Sequence, residues 1–100
     1  MAGAEVVQQL LVLEPLTPLV GGVAALLASL SYIPQVGKAW PRGETKDLSL
    51  GMLIALTAGL WLWVVYGVLK GDFVIIIANG LATILTGTVL GCKLRDIFFY

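Results

Sequence analysis

The chain is 100 residues long, and only 12% of its residues are charged, whereas soluble domains average about 25%. Hydrophobic residues make up 59%, and the six basic residues balance the six acidic ones without forming a basic run for nucleic acid. Histidine is absent and Cys92 is the single cysteine, which excludes an intrachain disulfide and a His/Cys metal cluster. The composition favours an all-α membrane protein.

Three uncharged stretches, of 23, 22 and 20 residues, follow one another along the chain. As a helix, about 20 apolar residues cross a bilayer core of about 30 Å. The sequence therefore predicts three membrane-spanning helices in one domain at 15–95. We place span 1, span 2 and span 3 at about residues 16–38, 48–69 and 73–93, with a short tail at 96–100.

The N-terminal extension, residues 1–14, contains two glutamates and no basic residue. A secretory signal peptide begins with a basic region, so the extension does not fit one. Its stretch Val6–Leu13 fits either a short surface helix or the start of span 1, and the sequence leaves both open.

Five of the six basic residues fall on one side of the predicted membrane. They are Lys38, Arg42 and Lys46 between spans 1 and 2, and Lys93 and Arg95 after span 3. The positive-inside rule makes that side cytoplasmic. We therefore expect the N-terminus and the turn between spans 2 and 3 outside, and the C-terminus in the cytoplasm.

Span 1 carries a proline, Pro34, near its cytoplasmic end. Proline has no amide hydrogen, so inside a helix it leaves the carbonyl of Leu30 without its helical partner. In lipid that carbonyl needs another donor, such as Ser31, Gln35 or a water. The Pro34-Gln35 segment is either a hinge that lets the cytoplasmic half of span 1 swing, or a static kink or helix end.

The loop between spans 1 and 2 ends in a helix-capping sequence. Asp47 or Ser49 can accept hydrogen bonds from the first free amides of span 2. We expect one of them to fix where span 2 begins, and we assign the loop no ligand.

Span 2 carries a polar and aromatic stripe, because Trp63, Tyr66 and Lys70 follow one another at helical spacing. Gly59, one turn deeper on the same face, leaves space beside the indole. The stripe fits a pocket floor at Trp63, a gate at Tyr66, and an outer ion-pair latch of Lys70 with Asp72. The alternative is the aromatic belt that Trp and Tyr form at membrane interfaces.

Span 3 contains one side-chain amide, Asn79, deep inside its uncharged stretch. Asn79 lies eight residues after Gly71, and Trp63 lies eight residues before it. At about 1.5 Å per residue, antiparallel helices place both about 12 Å below the membrane surface. An amide beside an aromatic plane suits a small polar ligand such as a sugar, whereas the alternative is a structural hydrogen bond between helices. Trp61 points about 160° away from Trp63 and fits the lipid-facing belt.

The three uncharged stretches that form the spans contain no Asp, Glu, Lys, Arg or His. Proton-coupled and ion-coupled carriers usually place such a group within the membrane. The sequence has no phosphate-binding loop and no nucleophile–base pair. We expect no enzyme activity, no cofactor and no metal, and any transport should run downhill.

Three helices cannot enclose a path for a polar solute, so a transporter of this size must oligomerise. Small residues recur at a spacing of four on every span, which lets helices approach closely in lipid. The rows are Gly21 and Ala25, then Gly51, Ala55 and Gly59, then Thr83, Gly87 and Gly91. They serve either packing within the protomer or a homodimer interface.

Several segments, in this order, resemble the bacterial SemiSWEET sugar transporters of the PQ-loop superfamily. They are Pro34-Gln35, Thr45–Ser49, Trp63–Gly67, Lys70–Asp72 and Ile77–Asn79, and the resemblance runs from about Leu19 to Leu94. It implies a three-helix bundle in which span 3 packs between spans 1 and 2. It also implies a parallel homodimer in the bacterial inner membrane, since SWEET proteins are a known example of parallel repeats about a membrane-normal axis.

The resemblance also implies residue roles and a function. Trp63 and Asn79 of both protomers would line one sugar site, Tyr66, Lys70 and Asp72 match the outer gate, and Pro34 matches the hinge. Lys70 stands where several relatives carry arginine, and it lacks the planar fork of that side chain. The implied function is passive alternating-access transport of mono- or disaccharides. The alternatives are a PQ-loop carrier for another small neutral solute and a non-transporting structural subunit.

Overall fold

The computed structural model describes residues 2–99, and all regular structure in that range is helical. The all-α class predicted from the sequence is confirmed. The helices are α1 (Ala2–Leu11), α2 (Thr17–Leu30), α3 (Ile33–Ala39), α4 (Leu50–Lys70) and α5 (Phe73–Phe98), with a 3-10 turn at Glu14–Leu16.

Three helical stretches are long and apolar enough to cross a membrane: Glu14–Ala39, Leu50–Lys70 and Phe73–Phe98. Span 1 consists of α2 and α3, span 2 is α4, and span 3 is α5. Span 3 continues to Phe98 rather than ending near residue 93. The N-terminal extension forms a separate helix, α1, in which no residue is buried.

Span 3 occupies the middle of the bundle. Its most extensive contacts are with α4, and both α2 and α3 also pack against it. On the α4 side, the hydroxyl of Thr57 donates a hydrogen bond to the hydroxyl of Thr86 at 3.3 Å. Toward α2, the hydroxyl of Ser29 donates to the carbonyl of Ala78 at 3.1 Å. This is the arrangement that the resemblance implied.

The buried core lies at the inner, predicted cytoplasmic, end of the bundle. It joins Ala39 of α3 and Leu53 of α4 with Val89 and Cys92 of α5, each at most 6% exposed. Because these residues come from all three spans, the core fixes where α3 and the start of α4 sit on α5.

The turn between α4 and α5 is closed by its own backbone. Gly71 has φ +67°, in the left-handed region that favours glycine. Its amide donates to the Val68 carbonyl at 3.1 Å, and the Asp72 amide donates to the Gly67 carbonyl at 2.9 Å. These two bonds form a Schellman closure. The Asp72 carboxylate then accepts hydrogen bonds from two amides in the first turn of α5.

Gly67 sets how closely α4 and α5 approach next to this turn. A Cβ atom on Gly67 would lie 2.9 Å from the Ile75 side chain and 3.1 Å from the Ile76 backbone nitrogen. The buried glycine therefore lets the two backbones meet at a distance that a larger residue would not allow.

Candidate functional site

Span 1 is interrupted between α2 and α3, just ahead of Pro34. Pro34 lies in the first turn of α3, where an amide has no helical acceptor, so proline is tolerated there. Of the three donors considered for the Leu30 carbonyl, Ser31 does not serve it, because the Ser31 hydroxyl donates to the Ala28 carbonyl at 2.5 Å. The break lies where the sequence predicts a hinge or a static kink, and the Gln35 side chain beside it is exposed.

The stripe on span 2 forms a continuous set of ring and charge contacts. The rings of Trp63 and Tyr66 meet edge to face, with centroids 5.2 Å apart and planes at 84°. The Lys70 ammonium nitrogen lies 5.9 Å from the centroid of the Tyr66 ring, within cation–π range. Tyr66 therefore links the deeper indole to the charge at the outer end of the helix.

An open groove of about 330 Å³ runs beside the indole of Trp63. It is lined by Gly59, Leu62, Trp63 and Tyr66, and nothing lies within 4 Å of the position where Gly59 would carry a Cβ. Trp63 is 52% exposed and Trp61 is 56% exposed, so exposure in one chain does not separate the two indoles. The groove and the contact with Tyr66 distinguish Trp63.

Asn79 lines a second groove, of about 190 Å³, between the three spans. Tyr32 and Ser29 of span 1 and Leu60 of span 2 also line it. The Asn79 amide nitrogen donates to the Ile75 carbonyl at 2.9 Å, one turn back in the same helix. Within residues 2–99 the amide oxygen accepts no hydrogen bond, so Asn79 does not bond one span to another inside the protomer.

The predicted pair, Trp63 and Asn79, is matched in depth but not joined in one chain. Each residue lies one helical turn further from the outer turn than the contact between Gly67 and Ile75. The two residues nevertheless line different grooves. A pocket that contains both residues therefore needs a surface that one protomer does not supply.

The predicted outer latch is not formed within one chain. Lys70 faces the Tyr66 ring, while the Asp72 carboxylate caps α5. Across residues 2–99 the ion pair present is that of Arg95 with Asp96, at 2.9 Å.

The inner end of the bundle carries a hydrogen-bond cluster that sequence reasoning missed. The guanidinium of Arg95 donates to three successive carbonyls where α3 ends: Ala39 at 3.3 Å, Trp40 at 2.7 Å and Pro41 at 3.2 Å. The last carbonyls of a helix have no partner in the helix itself, so α5 supplies one.

Thr45 is the second anchor of that cluster. Its hydroxyl donates to the Asp96 carboxylate at 2.6 Å, and its carbonyl accepts from the Lys93 ammonium at 2.8 Å. Thr45 is 1% exposed. The sequence offered one signal, the basic residues Lys93 and Arg95 at the end of span 3, from which only the orientation of the chain was predicted.

Neither the groove at Trp63 nor the groove at Asn79 is lined by a carboxylate or an amine. Within residues 2–99 no three His, Cys, Asp or Glu side chains come together as a metal site would require. What the grooves offer is an indole face, two phenol hydroxyls and an amide, groups that interact with a neutral polyhydroxyl compound.

Residues 17–92 match the model of the family described as "Sugar efflux transporter for intercellular exchange". A protein of Bradyrhizobium diazoefficiens named sugar transporter SemiSWEET is 39% identical over 80 residues, which is 80% of this chain and 93% of that protein. A SemiSWEET of Leptospira biflexa is 38% identical over 78 residues, covering 78% of this chain and 92% of the relative.

A solved structure supports the same relationship. The crystal structure of a bacterial homologue of SWEET transporters superposes with a TM-score of 0.74 at 33% identity. The match covers 81% of this chain and 98% of that one. Helix α1 lies outside the residues that match the family.

Proposed function

We propose a passive sugar carrier, from the premise that this chain belongs to the SemiSWEET branch of the sugar efflux transporter family. The relatives of Bradyrhizobium diazoefficiens and Leptospira biflexa are named as sugar transporters and not as enzymes. The chain is a membrane protein of three candidate spans. We propose that it lies in the bacterial inner membrane with its N-terminus outside, because five of its six basic residues would then be cytoplasmic.

The transporting unit in this proposal is a parallel homodimer with one central pocket. The observation that carries it is the open groove at Trp63, whose ring is half exposed on a side of α4 that α5 leaves uncovered. An aromatic side chain next to an unfilled groove gains a partner when a second copy closes that side. Asn79 of each copy, with its amide oxygen unoccupied, would then complete the polar part of the pocket.

Sugar recognition follows from the chemistry of these two side chains. An indole face packs on the apolar C–H face of a pyranose ring, and an amide exchanges hydrogen bonds with hydroxyl groups that have lost water. Binding must stay weak, because a carrier that holds its solute tightly in one state does not release it. Neutral hydroxyls need no buried charge, which agrees with grooves that carry none.

The transport cycle alternates an outer and an inner gate. Tyr66, Lys70 and Asp72 form the outer gate, where Lys70 of one copy would meet Asp72 of the other. The break before Pro34 and Gln35 provides the hinge of the inner gate. Because the runs 15–37, 48–69 and 73–92, which form the membrane-crossing parts of the spans, carry no Asp, Glu, Lys, Arg or His, the direction of net transport depends on the sugar gradient alone.

Counterflow in proteoliposomes tests this function. Vesicles loaded with unlabelled glucose or sucrose should accumulate the labelled sugar transiently, and a protonophore or removal of sodium should not change the rate. Sustained accumulation of labelled sugar in vesicles that contain no unlabelled sugar, if it collapses with the protonophore, would contradict the passive mechanism. If the dimer transports no sugar but carries another neutral solute, the substrate class is wrong.

Two substitutions test the pocket. Asn79→Ala removes two amides from a two-fold pocket, which should weaken sugar binding by about 1–3 kcal/mol, or roughly 5- to 150-fold. Trp63→Ala should also weaken binding, whereas Trp61→Ala is the matched control and should cost little flux. The mass of the dimer is measured on the same variants. An Asn79→Ala protein that no longer dimerises would identify Asn79 as a structural contact instead.

A further inference from the structure

Span 3 holds span 1 on both sides of its break. Above the break, the Ser29 hydroxyl of α2 donates to the Ala78 carbonyl of α5 at 3.1 Å. Below it, Arg95 of α5 binds the carbonyls of Ala39 and Trp40 at the end of α3. The two halves of span 1 are thus attached to the same helix by separate hydrogen bonds.

The helix that carries both attachments is continuous. Span 3 runs as one α-helix from Phe73 to Phe98 and contains no proline. A straight helix of this kind keeps a fixed distance between Ala78 and Arg95. While both attachments are made, they oppose a change in the angle between α3 and α2, because each half is bound to the same continuous helix.

We propose that Arg95 is a positioning residue that latches the inner half of span 1 in the conformation seen here, and that its release accompanies the swing of the inner gate. This inference deepens the proposed function, since it rests on a hinge before Pro34. Of the two attachments, Arg95 is the one at the surface: its side chain is 26% exposed, while Ser29 is 3% exposed. Water can replace the bonds of Arg95 when they open, but it has no such access to Ser29.

The neighbours of Arg95 explain why the latch is specific to arginine. Its Nε donates to the Asp96 carboxylate at 2.9 Å, which orients the guanidinium plane, and the remaining nitrogens fan out over three carbonyls. A planar fork with five donors on three nitrogens reaches four acceptors that lie apart, whereas a lysine has three donors on one compact nitrogen and serves fewer of them. The second carboxylate oxygen of Asp96 is held by Thr45, so the loop to span 2 is part of the same unit.

A distance measurement on the full-length dimer tests the latch. Spin labels are placed at Lys38→Cys on α3 and Ile97→Cys at the end of α5, both exposed positions, in a Cys92→Ala background. Labelled chains are diluted with unlabelled chains so that each dimer carries one labelled copy. The parent should give one dominant distance.

Arg95→Gln should add a second, altered distance population, raising its ratio to the first by at least about tenfold, which corresponds to the loss of a single charge-assisted hydrogen bond. Arg95→Lys should raise it less. Arg42→Gln is the matched control, because Arg42 lies next to Pro41, whose carbonyl Arg95 binds, but is itself exposed and its side chain makes no hydrogen bond within residues 2–99. Ser29→Ala should leave the distance unchanged, since that attachment lies beyond the break.

An unchanged distribution in Arg95→Gln overturns the proposal. If Arg95→Gln does not fold, the distance distribution of Arg95→Lys is measured instead. A distribution equal to that of the parent then overturns the proposal. Sugar counterflow is measured on the same proteoliposomes. A parent that carries no sugar would contradict the proposed function, while the distances would still show whether Arg95 holds α3.

Discussion

The two connections between the spans are built from bonds of very different range. The turn between α4 and α5 has two residues, Gly71 and Asp72, and its closing backbone bonds join residues at most five apart. The loop between α3 and α4 is fastened to the bundle by side chains of α5 that lie 48 to 56 residues further along the chain. The outer end is fixed locally and the inner end is fixed from a distance.

This difference agrees with the alternating-access cycle proposed above, in which the inner gate opens at the break in span 1. A locally closed turn forms together with its hairpin and holds α4 and α5 as one body. A connection held by charged side chains at the surface opens without breaking any helix. The comparison therefore predicts that the inner end is the adjustable one, and each substitution below is expected to affect one end and leave the other unchanged.

The largest effect is expected at Thr45. Thr45→Val keeps the shape but removes the hydroxyl that donates to the Asp96 carboxylate, and a hydrogen bond to a charged group contributes about 1.5–3 kcal/mol. Chemical unfolding of the purified dimer in detergent measures the loss. Thr88→Val is the control, since its hydroxyl bonds only to Ile84 in its own helix and should change stability by less than about 0.5 kcal/mol. Equal losses of stability in the two variants would show that the hydrogen bond between Thr45 and Asp96 does not stabilise the inner end.

Gly67→Ala tests the outer end by overpacking. The added Cβ would lie 2.9 Å from Ile75 and 3.1 Å from the Ile76 backbone nitrogen, so α4 and α5 must move apart, at a cost of about 1–3 kcal/mol. The same unfolding measurement applies. Gly51→Ala places the same methyl group on the same helix at 3.9 Å from its nearest neighbour, an ordinary contact, and should be tolerated. A stable Gly67→Ala protein would mean that the hairpin is less rigid than its contacts indicate.

Asp72 caps α5 and is also proposed to form part of the outer gate. Two substitutions at this residue separate the two roles. Asp72→Ala removes the acceptor for two amides of α5 and should destabilise by about 1 kcal/mol, while Asp47→Ala, in the exposed loop, should not. Asp72→Asn keeps a capping oxygen and removes the charge. It should leave stability unchanged and alter sugar exchange; normal exchange in a stable Asp72→Asn dimer would exclude an ion-pair gate at this residue.

The smallest change in stability, below about 1 kcal/mol, is expected for Pro34→Ala, because Pro34 already lies in the first turn of α3. If span 1 becomes one continuous helix, the new amide donates to the Leu30 carbonyl and joins α2 to α3. Exchange of labelled sugar should slow while the dimer stays folded. Exchange at the parental rate would make the break a static kink.

The contrast between local and long-range contacts also explains which features could be predicted from the sequence. Features with a local signature were predictable: three uncharged runs gave the spans, Ser49 was one of two expected caps for α4, and the short break at Gly71 placed Trp63 and Asn79 at one depth. Arg95 and Ser29 were not predictable as attachments. A single arginine or serine shows no pattern, because its partner is a backbone carbonyl and any residue could supply one.

The candidate site divides in the same way. The stripe from Trp63 through Tyr66 to Lys70 follows from helical spacing, and the ring contacts agree with it. Whether Trp63 and Asn79 share a pocket depends on a surface that one protomer does not supply. No property of a single sequence states which face of a helix meets a second copy.

The dependence of α3 on Arg95 also has a consequence for biosynthesis. The carbonyls at the end of α3 receive their donors from a residue 54 to 56 positions later, near the end of span 3. A ribosome covers the last few tens of residues that it has joined, so span 1 enters the membrane long before its own inner end can be completed. That end stays open until Arg95 itself has been translated and has left the ribosome, whereas the α4–α5 turn closes as soon as its hairpin emerges.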